Sequence, residues 1–308
     1  MRIVFLAYAT LVGACVGSFL NVCITRWPEG LSVVRPRSRC PRCERPIAWY
    51  DNIPVISWLV LRGKCRGCGL PISPLYPSIE LVTALIWLAS AITYGPTFVA
   101  LRMAIFATLL LGVAVTDLRT YTIPDGFTVT GFLFLLGAAV VGVFLGDQGP
   151  FVGPWDAFLG ACVGAGAISI VGWLGEAALK KEAMGFGDVT LMAFVGAAVG
   201  PELALLTVFV GAAIGAMVFL LVVLPISRLR TAPRASVAAP QGTMAVATGP
   251  ADVPVALTSE PLGNDEATVD AHGLPHVPFG VFLAPAAIVT LIYGRRLIDL
   301  YLAYMAGA

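Results

Sequence analysis

Long apolar runs separated by short polar interruptions dominate the chain, and runs of that continuity read as membrane helices. They cover residues 3–24, 75–94, 97–115, 126–145, 157–178, 189–199, 203–224 and 279–305. All but one approach the roughly 20 residues that cross a bilayer. The exception, 189–199, is a span only if its helix begins near Gly187 and runs into the Gly200-Pro201 turn, with tilt or local thinning of the bilayer. The pattern predicts an all-α polytopic membrane protein with about eight transmembrane helices. Two polar stretches break it, at 26–74 and 226–277, and they divide the chain into a first helix (1–25), a polar insertion (26–74), a helical core (75–225), a linker (226–277) and a final helix (278–308).

Composition closes off the alternatives. With 58% hydrophobic and 12% charged residues and a mean hydropathy of +0.88, the chain cannot hide its apolar surface in one soluble core. Its two histidines, His272 and His276, both fall in the polar linker, so chemistry inside the membrane rests on carboxylates or cysteines. The first run has little basic flank and no clear small-residue cleavage site, and is read as a retained span. The bilayer is the expected surrounding; no nucleic-acid partner is expected, and the oligomeric state is left open.

The basic residues orient the spans. Nine Lys/Arg lie between Arg26 and Pro74, so the positive-inside rule places this insertion in the cytoplasm and the N-terminus outside. Alternation then brings Arg119, Lys180, Lys181, Arg228, Arg230 and Arg234 to the cytoplasmic side, and the base-free stretch 146–156 faces out. The linker is rich in Ala, Pro, Gly, Ser and Thr and lacks aromatics, so it is expected to be a disordered cytoplasmic segment. A docking segment is the alternative.

Inside the insertion, Cys40-Pro41-Arg42-Cys43 and Cys65-Arg66-Gly67-Cys68 are two C-x-x-C knuckles 21 residues apart, close to the spacing of a four-cysteine zinc ribbon. Neighbouring bases favour thiolates, and Gly67 and Gly69 offer positive-φ positions. A four-thiolate site leaves no open position, so the zinc would be structural. Disulfides or redox thiols are the alternative, disfavoured in a reducing compartment. The aromatic segment from Trp49 to Trp58 either packs on this ribbon or rests at the membrane interface. Cys15, Cys23 and Cys162 sit in spans and read as small packing residues.

Two acids at span ends carry the candidate chemistry. Asp117 closes the third span and Asp188 opens the sixth, behind Gly185-Phe186-Gly187, and the topology puts both at the cytoplasmic surface. Two neighbouring carboxylates do not both ionise cheaply, which is the logic of aspartic proteolysis. Alternatively each caps a helix or pairs with a base such as Arg119 or Lys181. Asp125, after Ile123-Pro124, suits the N-cap of the fourth span, and Glu80 needs a hydrogen-bond partner within its span. Gly185 and Gly187 would leave room for an extended substrate strand beside Asp188.

The chain resembles the bacterial prepilin peptidases, the type IV leader peptidases. The resemblance rests on Gly17-Ser18-Phe19-Leu20-Asn21-Val22, both cysteine knuckles, Trp49-Tyr50-Asp51-Asn52-Ile53-Pro54, Tyr76-Pro77-Ser78-Ile79-Glu80-Leu81, Asp117 with Ile123-Pro124-Asp125, Met184-Gly185-Phe186-Gly187-Asp188 and Pro278-Phe279-Gly280. It implies an inner-membrane aspartic endopeptidase serving type IV pili or type II secretion. Such an enzyme cuts the basic leader of prepilins or pseudopilins at the cytoplasmic face, with Asp117 and Asp188 as catalytic pair and Cys40, Cys43, Cys65 and Cys68 as zinc ligands. It also implies N-methylation of the new terminus with S-adenosylmethionine, although no glycine-rich methyl-donor motif is visible and the donor's binding residues are unassigned. A zinc-ribbon membrane scaffold without proteolytic activity is the competing reading.

Overall fold

The computed structural model describes residues 1–147, 149–180, 184–223, 225 and 278–306. Its helices are α1 (Arg2–Arg26), α2 (Ile56–Val60), α3 (Leu75–Tyr94), α4 (Phe98–Thr120), α5 (Asp125–Leu145), α6 (Pro154–Leu179), α7 (Phe186–Val199), α8 (Pro201–Val218) and α9 (Gly280–Met305). Among the described residues there are no strands, only the isolated bridges Arg39–Pro46 and Lys64–Pro71. Seven helices are long and apolar enough to cross a membrane, and α7 is a shorter apolar helix.

Two units separate by contact. One joins residues 1–215 to 278–308 and holds the helical core; the other, 216–277, contributes only the end of α8 and a π-helical turn, Phe219–Val223, to the described part. The linker expected at 226–277 lies outside the described residues, as does Lys181.

The first unit is built around α4, which packs against α1, α3, α5 and α9. Its Phe106, Leu110 and Val113 join Phe127 and Leu135 of α5, Leu191, Met192, Phe194 and Val195 of α7, and Leu283 of α9 in a core with almost no exposure. Short α7 is thereby explained: Leu191, Met192 and the whole run from Phe194 to Val199 are buried against protein, so this helix need not match the bilayer on a lipid face. It begins at Phe186, as its apolar run requires. It ends at Gly200, whose φ of +85° reverses the chain into Pro201 at the head of α8. Gly160 of α6 and Gly196 of α7 face each other's carbonyls, a backbone-to-backbone approach that any Cβ would block.

Other local expectations are corrected. Asp125 is the first residue of α5 rather than its cap: Pro124 holds the N-cap position, and no side chain caps that end. Proline there fixes φ at −67°, and the acid still sits favourably in the first helical turn.

Candidate active site and metal centre

Three helix ends and one connector converge at the candidate active site. Asp117 lies in the last turn of α4 and is 4% exposed. The helix stops just beyond it because Tyr121 turns left-handed, at φ 52°, while its N–H donates to the Asp117 carbonyl at 2.9 Å. Asp188 lies in the first turn of α7, where its own N–H donates to the Gly185 carbonyl at 3.2 Å. The Thr190 hydroxyl, bonded to the Gly187 carbonyl at 3.0 Å, accepts from Thr128 of α5 at 3.2 Å, which fixes the first turn of α7 against its neighbour.

The fold therefore brings together two carboxylates that are 71 positions apart in sequence, close enough for their charges to repel directly. Oδ1 of Asp188 is buried and accepts no hydrogen bond among the described residues.

Two further residues close the site. A Cβ on Gly280, the first residue of α9, would stand 2.7 Å from Asp117 Oδ2 and 3.0 Å from Ile123 Cδ1. A Cβ on Gly187 would stand 2.8 Å from Ile123 Cβ. Gly187 is thus packed against Ile123, contrary to the expectation that it leaves room for substrate; around Gly185 no atom of the described residues lies within 4 Å of an added Cβ. Sequence reasoning gave Ile123 and Gly280 no role of their own. Their only signal was membership in the Ile123-Pro124-Asp125 and Pro278-Phe279-Gly280 stretches.

The insertion forms a second centre. The Sγ atoms of Cys40, Cys43, Cys65 and Cys68 all lie within 4.8 Å of one another, and that of Cys40 is 3.9 Å from that of Cys68. Four thiolates about 2.3 Å from one tetrahedral ion would be spaced by about 3.8 Å, so the cluster fits a zinc ion. No disulfide joins them.

The two knuckles are built alike. In each, the first cysteine's N–H donates to the carbonyl five residues on (Cys40 to Arg45, Cys65 to Leu70), and its carbonyl accepts from the residue after the second cysteine (Glu44, Gly69). Those two residues, Glu44 at φ 54° and Gly69 at φ 71°, take the positive-φ positions, and Gly67 does not. The backbone N–H groups of Cys68 and Gly67 point at Cys65 and lower its thiol to about 6. Cys68 goes the other way, to about 11, because the Leu70 N–H that favours its thiolate is outweighed by desolvation and by Cys65, Cys43 and Cys40.

The aromatic segment packs on this centre. Arg66 makes a bidentate pair with Asp51, at 2.8 and 2.7 Å, beneath the Tyr50 ring, and Trp58 donates to the Ile72 carbonyl at 3.1 Å. Glu80 finds its partners here: its carboxylate accepts from the Val55 N–H at 2.7 Å and from the Ser18 hydroxyl, tying the insertion to α3 and α1. At the end of α4 remote from Asp117, buried Arg102 pairs with Asp147 at 3.0 Å over the Phe151 ring, a pair sequence reasoning missed.

Two family models match the chain. Residues 11–94 match the model of the Bacterial Peptidase A24 N-terminal domain, and residues 104–220 that of the Type IV leader peptidase family. A Klebsiella pneumoniae protein named prepilin leader peptidase/N-methyltransferase is 38% identical over 204 residues, covering 63% of this chain and 85% of its own. The chain belongs to the type IV leader peptidase family. It is an enzyme of that family's kind, a prepilin peptidase, which leaves the scaffold reading without support. A Myxococcus xanthus protein of the same name is 42% identical over 193 residues, 63% of this chain and 56% of the relative. A type 4 prepilin-like proteins leader peptide-processing enzyme of Escherichia coli is 36% identical over 211 residues, 63% of this chain and 76% of the relative. No solved structure matches the chain.

Proposed function

We propose that this leader peptidase is an aspartic endopeptidase of the bacterial inner membrane, with Asp117 and Asp188 as its catalytic pair. It cuts the short basic leader of type IV prepilins or pseudopilins at the cytoplasmic face. The observation that carries the reading is the meeting of the two carboxylates at the ends of α4 and α7, one nearly buried and each within reach of the other's charge. Two such groups share a proton. The ionised one takes a proton from water as the water oxygen bonds to the scissile carbonyl carbon. The protonated one gives its proton to that carbonyl oxygen; the tetrahedral adduct then breaks at the C–N bond as the first acid passes the water's proton to the leaving nitrogen and the second takes a hydroxyl proton back.

The nine bases of the insertion support a cytoplasmic site through the positive-inside rule. In this reading the parts are the first helix (1–25), the zinc-binding insertion (26–74), the peptidase core (75–225), the linker (226–277) and the final helix (278–308). Cys40, Cys43, Cys65 and Cys68 hold a zinc ion that folds the insertion. N-methylation of the new terminus with S-adenosylmethionine follows the names of the Klebsiella and Myxococcus relatives.

Purified enzyme in lipid, incubated with a prepilin, with or without S-adenosylmethionine, tests both activities by mass spectrometry. Leader loss in both samples, with a methylated terminus only in the second, is expected. An intact prepilin in both would overturn the proposal.

A further inference from the structure

We propose that Ile123 is a positioning residue for the peptidase reaction: its side chain is the spacer that sets how far apart Asp117 and Asp188 stand. The inference rests on the reading of these two acids as the catalytic pair. Ile123 sits in the short connector between α4 and α5, between left-handed Tyr121 and Pro124, whose ring fixes φ at −67°. Its half-buried side chain therefore projects from a backbone held at both ends.

That side chain meets both halves of the site. On the α7 side it lies against Gly187, the residue before Asp188, where a Cβ would come within 2.8 Å of Ile123 Cβ and 3.3 Å of its carbonyl oxygen. On the α9 side it lies against Gly280, where a Cβ would come within 3.0 Å of Ile123 Cδ1 and 2.7 Å of Asp117 Oδ2. Gly187, Ile123, Gly280 and the Asp117 carboxylate thus form one stack, with a glycine on each side of the aliphatic side chain. Neither glycine has room for a methyl group between its backbone and Ile123, so the packing on both sides is close and the thickness of one isoleucine is passed to the spacing between the helix ends that carry the acids. Ile123 is only half-buried, at the edge of the core it packs against, so its truncation costs less stability than that of a fully buried isoleucine.

A misplacement of about 1 Å in a reacting group costs on the order of a hundredfold in rate. Steady-state cleavage of a prepilin by purified enzyme in lipid, with thermal unfolding of each variant, tests the spacer. Ile123→Ala is expected to lower kcat by about ten- to a hundredfold, with KM within about twofold and the unfolding temperature little changed. Ile123→Val and Ile123→Leu, which keep most of the thickness, are expected to recover most of kcat. Gly280→Ala, which drives a methyl into Asp117, is expected to fall like Ile123→Ala.

A wild-type kcat for Ile123→Ala overturns the proposal. So does a raised KM at unchanged kcat, which would make Ile123 a substrate contact, or a loss of kcat that the valine and leucine variants share in full. Asp117→Asn and Asp188→Asn in the same assay keep the two readings apart. If both are inactive and Ile123→Ala is normal, only the spacer fails; if either Asn variant cleaves, the catalytic pair itself is wrong.

Discussion

Removing the Asp147 carboxylate should destabilise the whole helical core, and the structure sets the scale. Arg102 and Asp147 have side chains 3% and 4% exposed and meet at 3.0 Å, so their attraction at an effective dielectric of about 20 is about 5 kcal/mol. Only Nη1 of Arg102 bonds Asp147; Nε and Nη2 have no hydrogen-bond partner among the described residues, and the Phe151 ring 4.3 Å from the guanidinium offers only about 0.5–2 kcal/mol. Asp147→Ala therefore strands a buried cation, at a cost of about 3–5 kcal/mol. Replacing both partners, Arg102→Met with Asp147→Leu, removes the charge along with its need, and should recover most of that loss as the methionine packs on Phe151.

Unfolding in lipid–detergent mixed micelles, driven by SDS and followed by far-UV circular dichroism, reads the cycle. The pair lies about 22 Å along α4 from Asp117, so cleavage per folded molecule should hardly change in either variant. A single Asp147→Ala variant as stable as the parent, or a double variant no better than the single, would refute the reasoning.

Further expectations concern the insertion. Metal analysis of the purified protein should find one zinc per chain, and Cys40→Ser or Cys65→Ser should lose it together with protease resistance of residues 26–74. Glu80→Ala removes the acceptor for the Val55 N–H, a charged hydrogen bond worth about 1.5–3 kcal/mol, and should speed limited proteolysis near 55 while Glu80→Gln retains much of the protection. Asp51 is held below the ordinary carboxylate range chiefly by its hydrogen bonds from Arg66. Its contribution is thus present above the unfolded value and lost as pH falls through the folded one. Asp51→Asn should weaken the insertion slightly at neutral pH, and the difference should vanish in strong acid, as judged by the same proteolysis.

Hydropathy made the helical frame legible because lipid demands continuous apolar runs: the third helix of the chain, Leu75–Tyr94, falls where its run falls. The short run at 189–199 was readable as the rear of a helix entered near Gly187, but only packing shows why 14 residues suffice, since it is covered by α5, α6 and α9 and its Phe194 ring meets Phe106 of α4. The cysteine spacing was enough to anticipate the cluster, whereas its turn geometry was not, because either Gly67 or Gly69 offers a positive φ and Glu44 offers none by its type.

Arg102 and Asp147 escaped notice because nothing local pairs residues so far apart. The signal was there in kind: a lone arginine inside an apolar run needs a partner. Asp117 and Asp188 were placed on one face by counting spans, but the residues that hold them, Ile123 and Gly280, are an aliphatic residue and a glycine whose roles exist only in contact.

Cleavage of a co-expressed prepilin by Asp117→Asn and by Asp188→Asn, with membrane levels of each variant measured alongside, tests the catalytic pair most directly. The expected result is unprocessed prepilin in both, at parental enzyme levels. Normal processing by either variant would contradict it.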